Sequence, residues 1–559
     1  MLKYLTAKKG QLALTMTVAV MAVCGYVGWS FLLQIVVDIA TGKRTGSLVA
    51  VAGLMVLYMV VMDTVGAFDR YLRPSLKWAA AGRARKALMA QALALSPAAF
   101  GEVGVGSMVG KLTKQVDNIT ESYFGQWLWL FYLGVQIIVA TLATISISPS
   151  VTLLIVVLTL PSLVFPFLLK KALQQASEAQ VTAIDRYTAK ATDLLSGFTT
   201  LKFALAGQAA ARQHDQADDA LVAAQTRNTR IQAISNAISS VLNDLTYMAA
   251  WFVGAIMVRA GQMDMGQMVV FSTLTGYLSF PMMSLTEDLP TLIGGIQAAR
   301  QLELFIASPN AKARSQALPQ LHAELACIDA SYAVGGQTIL NHVKLQLTPG
   351  QKVLLVGASG SGKTTLVRLL LGEVMPSQGE ALLFGAPAAE LARHAVYQRI
   401  GFMAQAGHVF TGTVRENMSL FTESFTDEAM TTALKRAGLS GWLTAHSLGT
   451  MVSADSPLLS GGEKQRLALA RIFLRDYSYY IFDELTTGLD PHIAAGLQRD
   501  LFDMAQGFLM ITHTYNEAAF AQADQIIVLE KGHVIAQGQA QTPAVQAALQ
   551  QLELTQQLS

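Results

Sequence analysis

Cysteine is nearly missing from this chain: two residues in 559, Cys24 inside an apolar run and Cys327 in the second half. No disulfide framework can be built from them, and both read as buried, unpaired small hydrophobes. Charge is also scarce. Asp, Glu, Lys and Arg make up 14% of the chain and hydrophobic residues 52%, against roughly 25% charged in soluble globular proteins. That balance excludes a disordered scaffold, a coiled coil and an ordinary cytosolic enzyme. Neither sign is in surplus, with 40 basic and 38 acidic residues giving a net charge of +2. A polyanion binder gathers excess Lys and Arg on one face, so no nucleic-acid partner is expected. A small-x-small cleavage site is missing too. The basic start Met1–Lys9 superficially looks like a signal peptide, but the apolar stretch behind it runs to about Ala40, and it reads as a retained membrane anchor.

What is present in quantity is long apolar sequence. Stretches near Gln11–Ala40, Ser47–Phe68, Ser122–Ile147, Ser150–Leu169, Ser239–Val258 and Met268–Ile293 each reach the roughly 20 residues that a helix needs to cross a bilayer. The first, third and fifth connections are short. The second and fourth are long, Ala-rich and polar, and they predict extended helices outside the bilayer. Both are rich in Lys and Arg (Arg70, Arg73, Lys77, Arg83, Arg85 and Lys86 in the second; Lys170, Lys171, Arg186, Lys190 and Lys202 in the fourth), as is the N-terminus at Lys3, Lys8 and Lys9. The positive-inside bias therefore predicts a multi-pass protein of the cell membrane with its N-terminus and C-terminal half in the cytoplasm. Lys43 and Arg44 in the first short loop count against that orientation but are outnumbered.

After Ile306 a polar stretch with Pro309 and Pro319 reads as a linker. Beyond it, short apolar strands alternate with amphipathic helices. Lys352–Val356, Tyr479–Phe482 and Phe508–Thr512 predict buried parallel strands, and Gln525–Leu529 with His533–Ala536 a terminal hairpin turning at Lys531-Gly532. The fold class is multidomain: an all-α six-helix transmembrane domain over 1–306, a linker over 307–321 and an α/β P-loop NTPase domain over 322–559.

Directly after the Lys352–Val356 strand stands Gly357-Ala-Ser359-Gly360-Ser361-Gly362-Lys363-Thr364-Thr365, the full P-loop pattern in its strand-to-helix setting. The glycines let successive backbone N–H groups face phosphates at a helix N-terminus. Lys363 supplies charge to the β- and γ-phosphates, and the Thr364 hydroxyl is a ligand for Mg²⁺. ATP and Mg²⁺ are the expected cofactors. Downstream, Tyr479–Phe482 ends in Asp483 and Glu484; one carboxylate can hold Mg²⁺ while the next orients the attacking water. Alone, such a pair would be a solvated strand end more often than a site. Between them, Leu459-Ser460-Gly461-Gly462-Glu463 opens a helical pattern through Arg475, which physics alone reads as a capped helix start.

This set of motifs resembles the ATP-binding cassette family, and with six fused spans it resembles an exporter-type half-transporter. The resemblance implies that Leu459–Glu463 is the signature motif, with Ser460, Gly461 and Gly462 closing on ATP held by a partner cassette. It implies that Tyr332 stacks on adenine and that Gln405 stands between γ-phosphate, Mg²⁺ and the membrane domain. It further implies that Asp490 joins the two sites, that His513 is the γ-phosphate switch and that Glu484 is the general base. Each residue alone would more often be structural; their order and spacing carry the assignment. Leu485 where proline is common, Glu463 where glutamine is frequent and the segment Thr450–Ser456 depart from the family pattern.

By the same resemblance, Ser96–Glu102 with Gly106–Asp117, and Asp193–Thr199 onward, are the tips of intracellular loops that seat on cassettes, the second on that of the partner chain. Asp63, Asp244, Glu287 and Asp288 are candidates for a cavity taking a cationic or amphipathic solute, with helix-end or interhelical hydrogen bonding as the plainer alternative. The expected function is ATP-driven transport by alternating access, most simply export of a drug, lipid, peptide, thiol or haem-type compound. The expected partner is a second half-transporter, a homodimer being the default and a heterodimer the alternative, in contact with membrane lipid. An ATP-gated regulatory or channel-like protein and a subunit of a paired transporter for cytochrome bd assembly are the competing readings. The spans exclude a soluble DNA-repair or translation ATPase.

Overall fold

The structure is a computed structural model that describes residues 1–307, 325–404, 407–422, 425–483, 485, 491–512 and 517–558. It divides into two compact units: Met1–Ala94 with Val103–Ser308, and Leu95–Glu102 with Pro309–Ser559. Most of the predicted linker lies outside the described residues.

The first unit is helical. Lys9–Ala40, Leu48–Ala94, Val105–Ile147, Gly207–Arg259 and Met265–Ala307 are each long and apolar enough to cross a membrane. The 48-residue helix Pro149–Ser196 covers the remaining predicted span. The protein is thus a multi-pass membrane protein. The long polar connections are not separate loops but continuations of these helices, which follows from their Ala-rich composition. They break only at Leu95–Gly104, around the short helix Pro97–Val103, and at Gly197–Ala206, around Phe198–Phe203. Both breaks fall where loop tips are expected from the sequence.

Two apolar cores hold this unit. One gathers Val27, Ala140, Ala250, Phe271 and Leu274; the other gathers Leu76, Leu88, Ile119, Phe124 and Leu302. Small residues let the helices approach closely: a Cβ on Gly295 would lie 2.2 Å from the Ser122 carbonyl oxygen. That contact falls where Val105–Ile147 widens into a π-helical turn at Thr120–Gly125; a second such turn covers Lys111–Gln115. Lys43 forms an ion pair with Asp264 of a distant short connection, so one of the two charges that opposed the predicted orientation is locally neutralised. Cys24 is exposed on its helix while Cys327 is buried. The expectation that both are buried is therefore corrected: helical periodicity turns position 24 away from the neighbouring buried Ala22 and Val23.

The second unit carries twelve strands among the described residues. A six-stranded sheet runs in the order β12 (His533–Gly538), β11 (Gln525–Glu530), β3 (Lys352–Val356), β10 (Gly507–Thr512), β9 (Tyr479–Asp483) and β6 (Ile400–Met403). All its pairings are parallel except β11 with β12, which closes as the predicted hairpin. A four-stranded antiparallel sheet orders β2 (Gln337–Leu347), β1 (Leu325–Val334), β4 (Gln378–Leu383) and β5 (Ala386–Pro387), and the short pair β7 (Gly412–Thr413) and β8 (Met451–Val452) stands apart. The parallel strands are apolar at nearly every position because helices cover both faces, and the two large hydrophobic cores lie on either side of them.

Candidate nucleotide site

Parallel α/β sheets place their ligand sites beyond the carboxyl ends of the strands, and the predicted phosphate residues gather at that edge. The P-loop leaves the end of β3. Gly360 and Gly362 take φ of +78° and +103°, values open to glycine at no steric cost. A Cβ on Gly357 would sit 2.3 Å from the Leu529 carbonyl oxygen, so only glycine lets the loop turn so close to β11. Ser359 and Gly360 are exposed at the loop's crest. Ser361 is buried, and its hydroxyl has no hydrogen-bond partner.

Lys363 opens the helix Lys363–Leu370, and its side chain is folded under the loop, 6% exposed. Its Nζ donates to the carbonyls of Gly357 at 2.7 Å and Ala358 at 2.8 Å. Thr364 is exposed in the first turn and Thr365 half-buried. An orphaned hydroxyl, a buried ammonium and a glycine-shaped backbone meeting a helix N-terminus fit an anion of phosphate type.

Asp483 ends β9, level with Ile511 of β10, and β10 in turn runs level with β3 through Thr512 and Val356. The carboxylate therefore stands at the same edge as the P-loop, one strand removed. Tyr332 pairs with Leu340 across β1 and β2, and Leu340 Cδ2 would lie 3.0 Å from a Cβ on Gly362. This places a half-buried aromatic ring beside the loop. Gln405, Glu484, Asp490 and His513 lie outside the described residues.

Ser460 caps the 13-residue helix Gly461–Phe473 in a capping box. The Glu463 N–H donates to Ser460 Oγ at 3.3 Å, while Glu463 Oε2 accepts from the Ser460 N–H at 2.8 Å and from its hydroxyl at 2.7 Å. Glu463 thus has a local reason that the resemblance could not supply: a capping box takes Glu or Gln at this position. Burial pushes its carboxyl upward, but the two Ser460 hydrogen bonds, with Arg466 and His446 nearby, outweigh that and hold it below its ordinary value. Gly461 and Gly462 form the first turn, Gly461 exposed and Gly462 half-buried. The departing segment Thr450–Ser456 ties this helix to β7 and to the helix Val414–Ser419 that follows it: Lys464 Nζ donates to Ala454 O at 2.6 Å, Met451 and Val452 pair with β7, and Val414 N donates to Thr450 O at 2.9 Å. Leu485 is buried, and its carbonyl accepts from Gln465 Nε2 at 3.3 Å.

Two supports were not legible as such. The turn Lys531-Gly532, with φ of +46° and +82°, does more than close a hairpin. The Gly532 N–H donates to the Ser361 carbonyl at 3.0 Å, its own carbonyl accepts from Asn341 N at 2.9 Å, and a Cβ there would lie 2.4 Å from Ile339 O. Gly532→Val is accordingly expected to displace the P-loop and weaken ATP binding by about tenfold, since relieving such a clash costs on the order of 1–3 kcal/mol. Equilibrium binding of a fluorescent ATP analogue checks it.

The second support is Asn417, fully buried. Its amide donates to Phe410 O and Thr413 O and accepts from Phe410 N and from Arg471. Arg471 also donates to Asn417 O and His408 O, and burial pushes its guanidinium down to about 10. Asn417→Ala strands these donors and is expected to cost about 2–4 kcal/mol, read as a lower thermal unfolding midpoint of the full chain in detergent.

Among the described residues, the transmembrane carboxylates do not assemble into a cluster. Asp63 and Asp244 are exposed on their helices, and no group of three or more His, Cys, Asp or Glu comes together among the described residues. Asp288 accepts from Trp129 Nε1 at 2.8 Å and Gln126 Nε2 at 3.2 Å, and the Glu287 side chain lies outside the described residues. The buried carboxylate is Asp69, ion-paired to Arg73 one turn on, and it was not singled out from the sequence.

A P-loop on a parallel sheet, carried by a chain of long apolar helices, defines a membrane-embedded protein with a P-loop nucleotide-binding domain. Residues 12–282 match the ABC transporter transmembrane region family and residues 340–487 the ABC transporter family. The chain belongs to the ABC transporter family, with the transmembrane and ABC transporter regions fused in one chain. It is 30% identical over 312 residues to a lactococcin transport/processing ATP-binding protein of Lactococcus lactis, covering 55% of this chain and 43% of that one. A fatty acid ABC transporter ATP-binding/permease protein of Mycobacterium bovis is 26% identical, covering 78% of this chain and 69% of that one. The chain spans less than half the length of the lactococcin and ComA-type relatives. Its fold is similar to that of a bacterial Atm1-family ABC exporter with ATP bound, at a TM-score of 0.82 and 19% identity over 99% of this chain and 98% of that one.

Proposed function

We propose that this chain is half of an ATP-driven exporter that moves a small or amphipathic solute by alternating access. Residues 1–306 form its membrane domain, 307–321 its linker and 322–559 its cytoplasmic cassette. The observation that carries the reading is the P-loop itself, where Ser361 Oγ lacks a partner and Lys363 is held under the backbone. In this reading Gly357 to Thr365 cradle the phosphates, Tyr332 stacks on adenine, and Ser460, Gly461 and Gly462 close on ATP bound by a second copy. Thr364, Asp483 and Gln405 hold Mg²⁺, which neutralises charge on the β- and γ-phosphates. Glu484 accepts the proton of the attacking water, His513 contacts the γ-phosphate and Asp490 links the paired sites.

The loop tips support a mechanical linkage. Leu95–Glu102 groups with the cassette unit, and the tip around Phe198–Phe203 leaves Phe198 and Phe203 61% and 85% exposed, an apolar end suited to the cassette of a second copy. Relatives named for lactococcin and for fatty acids support an amphipathic solute. Inside-out vesicles carrying the chain test the reading against a panel of fluorescent amphiphiles. ATP-dependent accumulation of one of them, lost in Glu484→Gln, is expected. Steady ATP hydrolysis with no accumulation across the panel would favour the channel-like reading.

A further inference from the structure

Helix Leu48–Ala94 presents Arg70, Arg73 and Lys77 to an open cleft of about 260 Å³, faced by Gly125, Leu128 and Trp129 of helix Val105–Ile147. The spacing i, i+3, i+7 puts the three cations on one helix face. Two features open the space. Pro74 has no N–H, so the Arg70 carbonyl loses its helical donor; Gly125, at the end of a π-helical turn, brings no side chain.

The described lining residues include no carboxylate, and Glu121 stands at the rim, its Oε2 3.8 Å from where a Cβ on Gly125 would lie. Arg73 pairs with Asp69 and Lys77 with Glu121, while Arg70 has no ion pair among the described residues. Arg73 lies over the rings of Tyr132 at 4.6 Å and Trp129 at 5.5 Å, and its buried Nε has no hydrogen-bond partner. An unpaired donor and an unpaired cation beside an indole form a site for an anion, not for the cation that the transmembrane carboxylates suggested. Arg70 stands two residues past the predicted span, and the preceding turns expose Leu57, Val61 and Phe68. A headgroup at Arg70 would therefore leave its tail along apolar surface.

We infer that this cleft binds the phosphate or carboxylate headgroup of an amphiphile, an inference that rests on the transporter reading for its meaning but not for its test. Both a bilayer lipid and a soluble amphiphile carry such a group. The purified full chain, exchanged into micelles holding equal phosphatidylglycerol and phosphatidylcholine, is examined by native mass spectrometry for retained lipid.

A preference of about tenfold for phosphatidylglycerol is expected, falling to parity in Arg70→Gln/Lys77→Gln. Asp69→Asn/Arg73→Gln, which removes the buried pair together and so strands no charge, should lower it too. Displacement by dodecyl phosphate but not by inorganic phosphate supports an amphiphile as occupant; equal displacement by both supports the anion site with a free anion as its source. Equal retention of both lipids by the unsubstituted chain, or displacement by dodecyltrimethylammonium, overturns the inference. ATP turnover in the same preparation separates the two readings, since it can persist when the lipid preference fails.

Discussion

Lys363→Ala is expected to abolish ATP hydrolysis, lowering turnover by about 10²–10³-fold or more, the scale for removing one preorganised charge from phosphoryl transfer. The side chain is buried under a loop that offers backbone amides, the exposed Ser359 hydroxyl and the buried, unpartnered Ser361 hydroxyl. Its ammonium already sits 2.7 Å and 2.8 Å from two loop carbonyls, so positioning it for a phosphate requires little rearrangement. Lys363 is the sole Lys or Arg between Val356 and Val367 in the sequence. ATP-binding isotherms and steady-state turnover, measured on the same particle, check the expectation. Unchanged turnover would mean that the loop does not handle the reacting phosphates.

Glu484→Gln is expected to have a different signature: turnover down by about 10²–10⁴-fold, the range for loss of a positioned general base, with ATP binding retained. Gln keeps the size and the hydrogen-bonding capacity of the side chain but cannot take a proton near neutral pH. The adjacent Asp483, at the end of β9 and on the P-loop edge of the sheet, is left unchanged as the proposed Mg²⁺ ligand. ATP should therefore accumulate unhydrolysed on the particle, and filter binding followed by nucleotide extraction would recover ATP instead of ADP. Recovery of ADP at the normal rate would remove Glu484 from the proposed chemistry.

The elements that announced themselves were those whose physics is local. Strand β3 matches its predicted residues at both ends, because Lys352 and the four apolar residues Val353–Val356 directly precede an unmistakable glycine loop. The long helices follow from apolar runs, and their extensions from Ala-rich sequence. Contacts between residues far apart in the chain left no such trace. Gly532 reads as a turn glycine, yet its N–H holds Ser361, 171 positions earlier in a different motif. Asn417 and Arg471 look like ordinary polar helix residues until burial brings them together. Asp63 drew attention by its depth in an apolar span, but the buried charge is Asp69, whose Arg73 partner one turn on could have been read from the sequence. Cys24 shows the same limit, since an apolar run does not say which face of a helix is covered.

The central claim, that two copies of this chain make a self-sufficient ATP-driven machine, is tested most directly by purifying it alone into lipid nanodiscs and measuring Mg²⁺-dependent ATP turnover together with the number of copies per particle. The account predicts steady turnover from a two-copy particle, lost in Glu484→Gln. A folded, ATP-binding particle that stays silent, or turnover from a single copy, would contradict it.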